Sequence, residues 1–246
     1  MPTTSTPRRR ANGGQGKARL DRDSIVAAGI ELAATAASSS LSVRELGAHL
    51  GADPTAIYRH FRNKEQLMEA LLDALTLRGL QTVTAPPEAW RDRLRQLAIA
   101  TLDLFAKHPA IGVEATVLTT HGQGELDAVE LMLDAFTRAG LSGDDLVRHY
   151  ALFAAHVLSS AAGIARARGE QRDRGVMEDE FAPSPWFEGP ILADPRRYPL
   201  ITSINSRLVD LEDRELFMLG VEAVIQSAER VAEAATAATA VGESEA

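Results

Sequence analysis

Hydrogen-bond donors are concentrated in the segment DPTAIYRHFRNKEQL. Five side chains within ten residues supply hydroxyl, phenol, guanidinium, imidazole and ammonium groups: Thr55, Tyr58, Arg59, His60 and Lys64. Donors of these kinds bind phosphate oxygens, and some of them can also reach the edges of nucleic-acid bases. The segment is therefore either a surface that binds an anionic partner or the solvated face of an ordinary helix.

Helix-capping residues place these donors on two consecutive helices. Asp53 is a favourable N-cap, and Pro54 suits the first position of a helix. Asn63 and Gln66 form a second cap, so that another helix begins at Lys64. The segment thus predicts a short helix followed at once by a longer one.

Two further helices are predicted upstream. One follows Asp21, which can cap it, and the other begins after Ser42, whose capping box is completed by Glu45. Gly51 ends that second helix because glycine readily adopts the left-handed conformation. Only Gly-Ala-Asp then separates it from the helix at Pro54, which is the spacing of a helix-turn-helix. The positions expected to form the core of this unit are Leu46, Ile57, Phe61 and Leu67.

The rest of the chain is also predicted to be helical. Apolar residues recur at helical spacing between breaks, and no alternating strand pattern occurs, so the fold class is all-α. The predicted helices are 88–107, 125–139, 144–168 and about 211–235. The stretch 169–200 is charged and then rich in proline, which predicts a long loop with room for a short helix, and a candidate lid over a pocket.

Charge is distributed unevenly along the 246 residues. Residues 1–80 carry 11 Lys and Arg against 8 Asp and Glu, whereas residues 81–246 carry 15 against 26. A small, mildly basic module at 20–80 is therefore expected on a larger acidic body at 81–246. Residues 1–19 hold basic but no acidic residues, and their polar composition predicts a disordered arm that either aids solubility or adds a phosphate or minor-groove contact.

The sequence lacks the residues that several classes of protein function need. The chain has no cysteine, so it has no disulfide and no thiolate metal site. It shows no transmembrane run and no secretory signal, which favours a cytoplasmic protein without membrane contact. No nucleophile elbow, phosphate-binding loop, dinucleotide fingerprint or zinc motif is present, so that no enzyme activity, cofactor or metal is expected.

A family resemblance is carried by the run LSVRELGAHLGADPTAIYRHFRNKEQLMEALLDAL. It closely resembles the DNA-binding domain of TetR-type transcriptional regulators over about residues 20–75. The later runs LFAKHP and RAGLS, with the long apolar helix, are similar to the C-terminal domains of the tetracycline-repressor branch. The resemblance implies an all-helical homodimer, with a three-helix reading head (20–80) on a larger ligand-binding and dimerisation body (81–246).

The resemblance assigns DNA contacts to four residues of the reading head. Arg44 matches a family position that can reach a guanine. Tyr58, His60 and Lys64 match positions that clamp phosphates. Lys64 also lies at a helix N-terminus, where free N–H groups and the helix dipole favour an anion. For each residue taken alone, ordinary packing or a solvated surface charge is an alternative to DNA contact. The capping residues, the turn and the spacing of the donors, taken together, favour DNA binding.

Further contacts are expected at the start of the second short helix. Residues at the N-terminal end of a helix in the major groove reach base edges first. Pro54, Thr55 and Ala56 occupy that end and offer close approach, a hydroxyl and a methyl group. Arg59 is another candidate for base recognition. Ser42 can offer its hydroxyl, or the N-terminus of its helix, to a phosphate.

Two helices of the body have too little polar surface to be buried on one side only. In DDLVRHYALFAAHVLSSAAGIARA, an apolar stripe is accompanied by small or apolar residues on the remaining surface. The last helix has the same property in LFMLGVEAVIQ. Such helices predict a four-helix interface across a two-fold axis, or else a wholly internal pair.

A ligand pocket is implied by the resemblance and only weakly by the residues. The candidates to line it are Phe105, His108, His121, His149, Phe153, His156 and Trp186. His149 and His156 share a face of one helix because they lie seven residues apart. The alternative is that these are hydrogen-bonded helix histidines and core aromatic residues. No carboxylate completes an obvious metal site around them.

The sequence therefore predicts a homodimeric TetR-type repressor of a palindromic, double-stranded operator. An apolar or amphipathic small molecule is expected to enter the body and to release the DNA. The alternative is a DNA-binding regulator that senses no ligand and acts through a protein partner. Loss of DNA binding on addition of a ligand separates the two hypotheses.

Overall fold

The computed structural model describes residues 20–35, 40–175 and 189–244, and the side chains as far as residue 238. The regular elements of the described ranges are all helices, and these ranges contain no β-strand. In chain order the elements are α1 Arg22–Thr35, α2 Val43–His49, α3 Pro54–Ile57, α4 Lys64–Leu80, α5 Trp90–Lys107, α6 Pro109–Gly112, a 3-10 turn Val113–Thr116, α7 Gln123–Arg138, α8 Gly143–Asp173, α9 Pro199–Leu208 and α10 Asp213–Ser244. The predicted arm at 1–19 lies outside these residues, and so does Trp186.

The caps predicted for the reading head are formed. The Ser42 hydroxyl accepts hydrogen bonds from the N–H groups of Arg44 at 3.2 Å and Glu45 at 3.4 Å. Asn63 Oδ1 accepts from the Gln66 N–H at 2.8 Å. Gly51 adopts a φ of 60°, so the turn between α2 and α3 depends on a residue without Cβ. The four predicted core residues of the head are all fully buried: Leu46, Ile57, Phe61 and Leu67.

Helix α4 is shared between the reading head and the body. Its first half buries Leu67, Met68 and Leu71 under α1, and its second half packs on α5 and α7. Leu72 and Leu75 continue the same buried stripe toward the body. One hydrophobic core therefore runs from the head through α4 into the body without a polar break.

The body is organised around α8. It packs against α5 on one side and α10 on the other. Phe136 of α7 meets Phe153 of α8 edge-on, with ring centroids 5.9 Å apart. Such edge-to-face pairs add a specific geometry to the burial of apolar area. None of the described helices is both long and apolar enough to span a membrane.

The predicted boundaries of the last two long helices were too short. α8 continues to Asp173 instead of ending near 168, because the charged residues there remain solvated and do not interrupt a helix. Gly175, with a φ of 70°, follows its end. α9 begins at the end of the predicted loop at 169–200 and lies mainly beyond it, and α10 extends to Ser244. The α6 turn was missed because Pro109 was interpreted only as the end of α5, although proline also suits a first helical turn.

A buried ion pair joins α8 to α10. Arg168 Nη2 donates to Asp213 Oδ2 at 2.7 Å, and the two side chains are only 9% and 6% exposed. Burial raises the pKa of Asp213 even though the charge of Arg168 acts to lower it. The pair is thus held in a poorly solvated environment, where either charge left alone is unfavourable.

Replacing Arg168 by methionine should therefore destabilise the fold strongly. The substitution leaves the Asp213 carboxylate buried and unpaired, which costs about 3–5 kcal/mol of unfolding free energy in comparable cases. Urea unfolding followed by circular dichroism measures the loss. Arg166→Met is the matched control, because Arg166 is exposed on the same helix. A loss below about 1 kcal/mol for Arg168→Met, typical of exposed pairs, would contradict the interpretation.

Candidate nucleic-acid interface and ligand cavity

The nine residues with predicted DNA contacts all lie at the surface of the reading head. Five of them are exposed: Arg44, Thr55, Tyr58, Arg59 and Lys64. The other four are partly exposed: Ser42, Pro54, Ala56 and His60. Each is therefore accessible to an external partner, and the contacts themselves stay a prediction.

The start of α3 is held by a local hydrogen-bond arrangement. Asp53 Oδ1 accepts from the Thr55 hydroxyl at 2.6 Å and from the Thr55 N–H at 2.8 Å. These two hydrogen bonds lower the pKa of the Asp53 carboxyl. The Thr55 hydroxyl hydrogen is used in the cap, so the side chain offers lone pairs and a methyl group to a base.

A rigid corner connects α3 to α4. After Ile57 the chain continues in turns, with the His60 N–H bonded to the Ile57 carbonyl at 2.9 Å. Gln66 Oε1 accepts from the Arg62 N–H at 2.8 Å and completes the cap at the start of α4. The Arg22 guanidinium lies 4.5 Å from the centroid of the Phe61 ring, which ties α1 to the same corner. Side chains on this corner are therefore presented on a fixed backbone.

The body contains a cavity of about 310 Å³ between α4, α5, α7 and α8. Most of its wall is apolar, including Leu72 and Leu75 of α4, Leu97 and Phe105 of α5, Met132 of α7 and Phe153 of α8. The polar groups on the wall are Thr76, Thr101, Thr116, Thr119, Thr120, Tyr150 and Glu125. A concave, mainly apolar space with a few polar groups is typical of a small-molecule site.

Glu125 is the charged residue on this wall. Its Oε2 accepts hydrogen bonds from the Thr120 N–H at 2.6 Å, the Thr120 hydroxyl at 3.0 Å and the His121 N–H at 2.8 Å. Burial acts to raise the pKa of Glu125, but these hydrogen bonds together outweigh it and the pKa is lowered. The carboxylate is therefore ionised at neutral pH.

Asp73 of α4 supplies the cap that α7 lacks in its own sequence. The N-cap position of α7 is Gly122, which has no side chain to accept a hydrogen bond. Asp73 Oδ1 instead accepts from the Glu125 N–H at 3.0 Å and from the Thr120 hydroxyl at 3.0 Å. A carboxylate at a helix N-terminus also interacts favourably with the helix dipole. The helix that enters the reading head thus holds one end of the cavity wall.

Only two of the seven residues predicted to line a pocket lie on the wall of this cavity. They are Phe105 and Phe153. The four histidines lie elsewhere, and Trp186 is outside the described residues. Within those residues, no group of three or more His, Cys, Asp or Glu side chains is arranged to hold a metal ion.

Three of the four histidines are hydrogen-bonded inside the body. His108 Nδ1 donates to the Leu104 carbonyl at 2.8 Å, and burial lowers the pKa of His108. His149 contacts the Asp145 carbonyl at 2.7 Å and the Ser227 hydroxyl at 3.2 Å. His156 Nε2 donates to the Phe217 carbonyl at 2.9 Å. His121 is exposed, with a φ of 51°. Helical spacing brought His149 and His156 to one face, but that face meets α10.

Comparison with known proteins gives two family matches. Residues 25–71 match the model of the tetR family of bacterial regulatory proteins, and residues 83–230 match the tetracycline repressor-like C-terminal domain. The second match alone covers more than half of the chain. The chain belongs to the TetR family. Its members are DNA-binding transcriptional regulators and not enzymes, and they usually bind operator DNA as dimers.

Individual relatives in the TetR family are more distant. The HTH-type transcriptional repressor Rv1353c of Mycobacterium tuberculosis is 28% identical over 240 residues, which cover 95% of this chain and 88% of the relative. The class D tetracycline repressor protein of Escherichia coli is 26% identical over 86% of this chain and 90% of its own. The solved structure of Streptomyces coelicolor ActR in complex with actinorhodin has a TM-score of 0.67 at 19% identity, covering 87% of this chain and 99% of that one. This last likeness shows the fold alone.

The TetR-type sequence pattern did not predict Glu125 or Asp73 as residues at the cavity. The hydrogen bonds of Glu125 could have been predicted, because an acidic residue in the first turn of a helix commonly accepts from N–H groups just before that helix. Asp73 gave no signal, since its partners Thr120 and Glu125 lie 47 and 52 residues away in sequence. Long-range pairs of this kind follow from the packing of helices and not from a local pattern.

The close approach of α4 and α7 can be tested at Gly124. Alanine is favoured over glycine in a helix by about 1 kcal/mol, so an unobstructed substitution would stabilise the protein. A Cβ at Gly124, however, would overlap the Asp73 carbonyl oxygen. Gly124→Ala should therefore destabilise the protein by about 1–3 kcal/mol, as overpacking does, in urea unfolding. The neighbouring exposed residue gives the control Gln123→Ala, and a gain in stability for Gly124→Ala would contradict the contact.

Proposed function

We propose that this protein is a homodimeric repressor that binds a palindromic operator and is released from it by an apolar or amphipathic small molecule. One observation carries the proposal: α4 belongs to both candidate sites. It begins with Lys64 in the reading head and contributes Leu72, Leu75, Thr76 and Gly79 to the wall of the cavity. A ligand that changes the position of α4 therefore changes the position of the head.

The proposed DNA contacts divide into two groups. Thr55, Ala56 and Arg59 extend from α3 and the turn after it, where a helix in the major groove meets base edges. Tyr58 and Lys64 flank that turn and are suited to phosphates, with Ser42, Arg44, Pro54 and His60 around them. Phosphate contacts provide salt-dependent affinity and orientation, and base contacts provide sequence preference. The repressor action of Rv1353c and of the tetracycline repressor supports the same role here.

The proposed dimer interface is formed by α8 and α10. Leu152 and Leu219 are 55% and 56% exposed in the single chain, and the small residues Ala155 and Ala223 are exposed beside them. Exposed apolar side chains on two adjacent long helices suit a second copy of the same helices in a four-helix arrangement. A two-fold dimer places two reading heads on the two halves of a palindrome.

Release requires that the ligand bind more tightly to the state that does not bind DNA. The coupling is reciprocal, so DNA must weaken the binding of the ligand by the same factor. Typical coupling free energies of about 1–3 kcal/mol change operator affinity roughly 5- to 150-fold. A cavity bounded by α4 makes such coupling feasible, because filling it acts on a helix that is common to both sites.

The DNA-binding proposal is tested by gel-shift titration with the DNA upstream of the protein's own gene at two or more salt concentrations. Lys64→Ala and Tyr58→Ala should both weaken specific binding. For Lys64→Ala, the slope of log K against log salt should fall by about 1.8 per dimer, because each lost phosphate contact is worth about 0.9. Lys107→Ala on the body is the matched control. Specific binding unchanged in both variants would refute the phosphate contacts, and a folded dimer that binds no DNA specifically would favour a protein-partner function.

The dimer interface is tested by placing a charge in it. Leu152→Glu should convert the dimer to a monomer in sedimentation velocity, because two carboxylates would be buried across the two-fold axis without partners. Leu126→Glu is the control, since Leu126 is 59% exposed and belongs to α7, which is not one of the two proposed interface helices. A Leu152→Glu variant that remains dimeric would place the interface elsewhere.

A further inference from the structure

We propose that the effector of this protein carries a protonated amine, and that Glu125 is the residue that binds it. The inference rests on the proposed function, because it takes the cavity to be the effector site, and it names the chemical class of the ligand. It also predicts which ligand charge the cavity prefers, whereas the other residues of the wall are uncharged and select only between polar and apolar groups of a ligand.

The first step is the charge of the cavity wall. Among the described residues that line it, Glu125 alone is charged, and no Lys, Arg or His contributes to the wall. A ligand carboxylate would therefore lose its water without gaining a positive partner, and it would be repelled by Glu125. A ligand ammonium would meet an ionised carboxylate in a mainly apolar environment, where a charge-assisted hydrogen bond is strong.

The second step is the geometry of the Glu125 carboxylate. Three donors from the turn at Thr120 and His121 are bonded to Oε2 and hold the group in place. Among the described residues, no donor is bonded to Oε1. The side chain of the neighbouring His121 is exposed. Glu125 is thus fixed by the protein through one oxygen and retains the other for an external donor.

The third step is the second carboxylate next to this turn. The Thr120 hydroxyl lies 3.0 Å from both Glu125 Oε2 and Asp73 Oδ1. A hydroxyl has one hydrogen, so it can donate to only one of these oxygens at a time. The two carboxylates consequently share one donor and produce a negative potential at this end of the wall. A cation bound to Glu125 reduces that potential and frees the hydroxyl for Asp73.

The remaining wall specifies the rest of the ligand. Leucines, Met132, Phe105 and Phe153 provide an apolar surface in a space of about 310 Å³. Threonine hydroxyls and Tyr150 can bond to a small number of polar substituents. The wall therefore suits a compact hydrocarbon or aromatic body that carries an amine. Binding of the amine at Glu125 acts on Thr120, and through Asp73 it reaches α4.

The test uses three probes of nearly equal shape and different charge: 1-naphthaleneethanamine, 1-naphthaleneethanol and 1-naphthaleneacetic acid. Isothermal titration calorimetry at pH 7.5 on the full chain gives their affinities. The amine should bind more tightly than the alcohol by roughly 10-fold or more, because both can donate to the carboxylate but only the ammonium adds an opposite charge in a mainly apolar environment. The acid should bind most weakly. This ranking is measured on the native protein and does not depend on any variant.

Glu125→Gln removes the charge and keeps an oxygen that can accept from the turn. It should bring the affinity for the amine close to that for the alcohol and lower the affinity for the alcohol much less, since both lose the extra strength of a hydrogen bond to a charged oxygen but only the amine also loses an opposite charge. Glu130→Gln is the matched control, because Glu130 is exposed on the same helix and does not line the cavity. Equal amine affinity in the native and Glu125→Gln proteins, a preference for the acid, or no binding of any probe would overturn the proposal.

A parallel gel shift separates this proposal from the proposed function. If the amine binds through Glu125 but leaves the operator complex intact, the charge preference stands and release by cavity filling is refuted. If the alcohol or the acid dissociates the complex and the amine does not, release stands and the charge preference is refuted.

Discussion

The carboxylate of Asp73 holds the N-terminus of α7 against α4, and the arrangement of both candidate sites depends on this contact. The N-cap of α7 is a glycine without a capping side chain, so without Asp73 the Glu125 N–H would lose its acceptor and the Thr120 hydroxyl would lose one of its two acceptors. The close approach at Gly124 leaves no space for the two helices to slide past one another. Because closely packed interfaces tend to have discrete arrangements, a change at this contact is transmitted as a shift of a whole helix.

The polar groups of the body serve two different purposes. The Arg168–Asp213 pair and the histidines at the α8–α10 contact have their partners inside the fold, and they fix the position of one long helix on the other. Glu125 differs because the turn at Thr120 bonds to only one of its two oxygens. A buried polar group with a complete set of partners specifies structure, whereas a carboxylate on a cavity wall with an oxygen left over can bind a ligand. Residue type alone does not show which of these polar side chains has a structural role and which can bind a ligand. Their hydrogen bonds do.

The parts of the fold that could be predicted from the sequence are those set by neighbouring residues. Ser42, Asp53 and Asn63 form caps with residues two or three positions away, and Gly51 takes its conformation for local steric reasons. The cavity could not be predicted in the same way, because its wall combines four helices that meet only after packing. Of the residues expected there, the aromatic Phe105 and Phe153 line it because large apolar side chains face the interior whatever their function. The histidines were expected on the strength of their residue type, and an imidazole is equally able to satisfy a helix carbonyl.

The shared use of α4 limits how such a protein can change during evolution. A substitution at Leu72, Leu75 or Thr76 alters the space available to a ligand, but it also alters the packing that orients the reading head. Variants at these positions would therefore change operator affinity and ligand preference together. The walls contributed by α5 and α8 are less constrained, since neither helix forms part of the head and the contact of α8 with α1, from Arg172 to the Ala33 carbonyl, involves a residue that does not line the cavity. A descendant that acquires a new ligand while keeping its operator should accordingly carry its substitutions on α5 and α8, and leave α4 as it was.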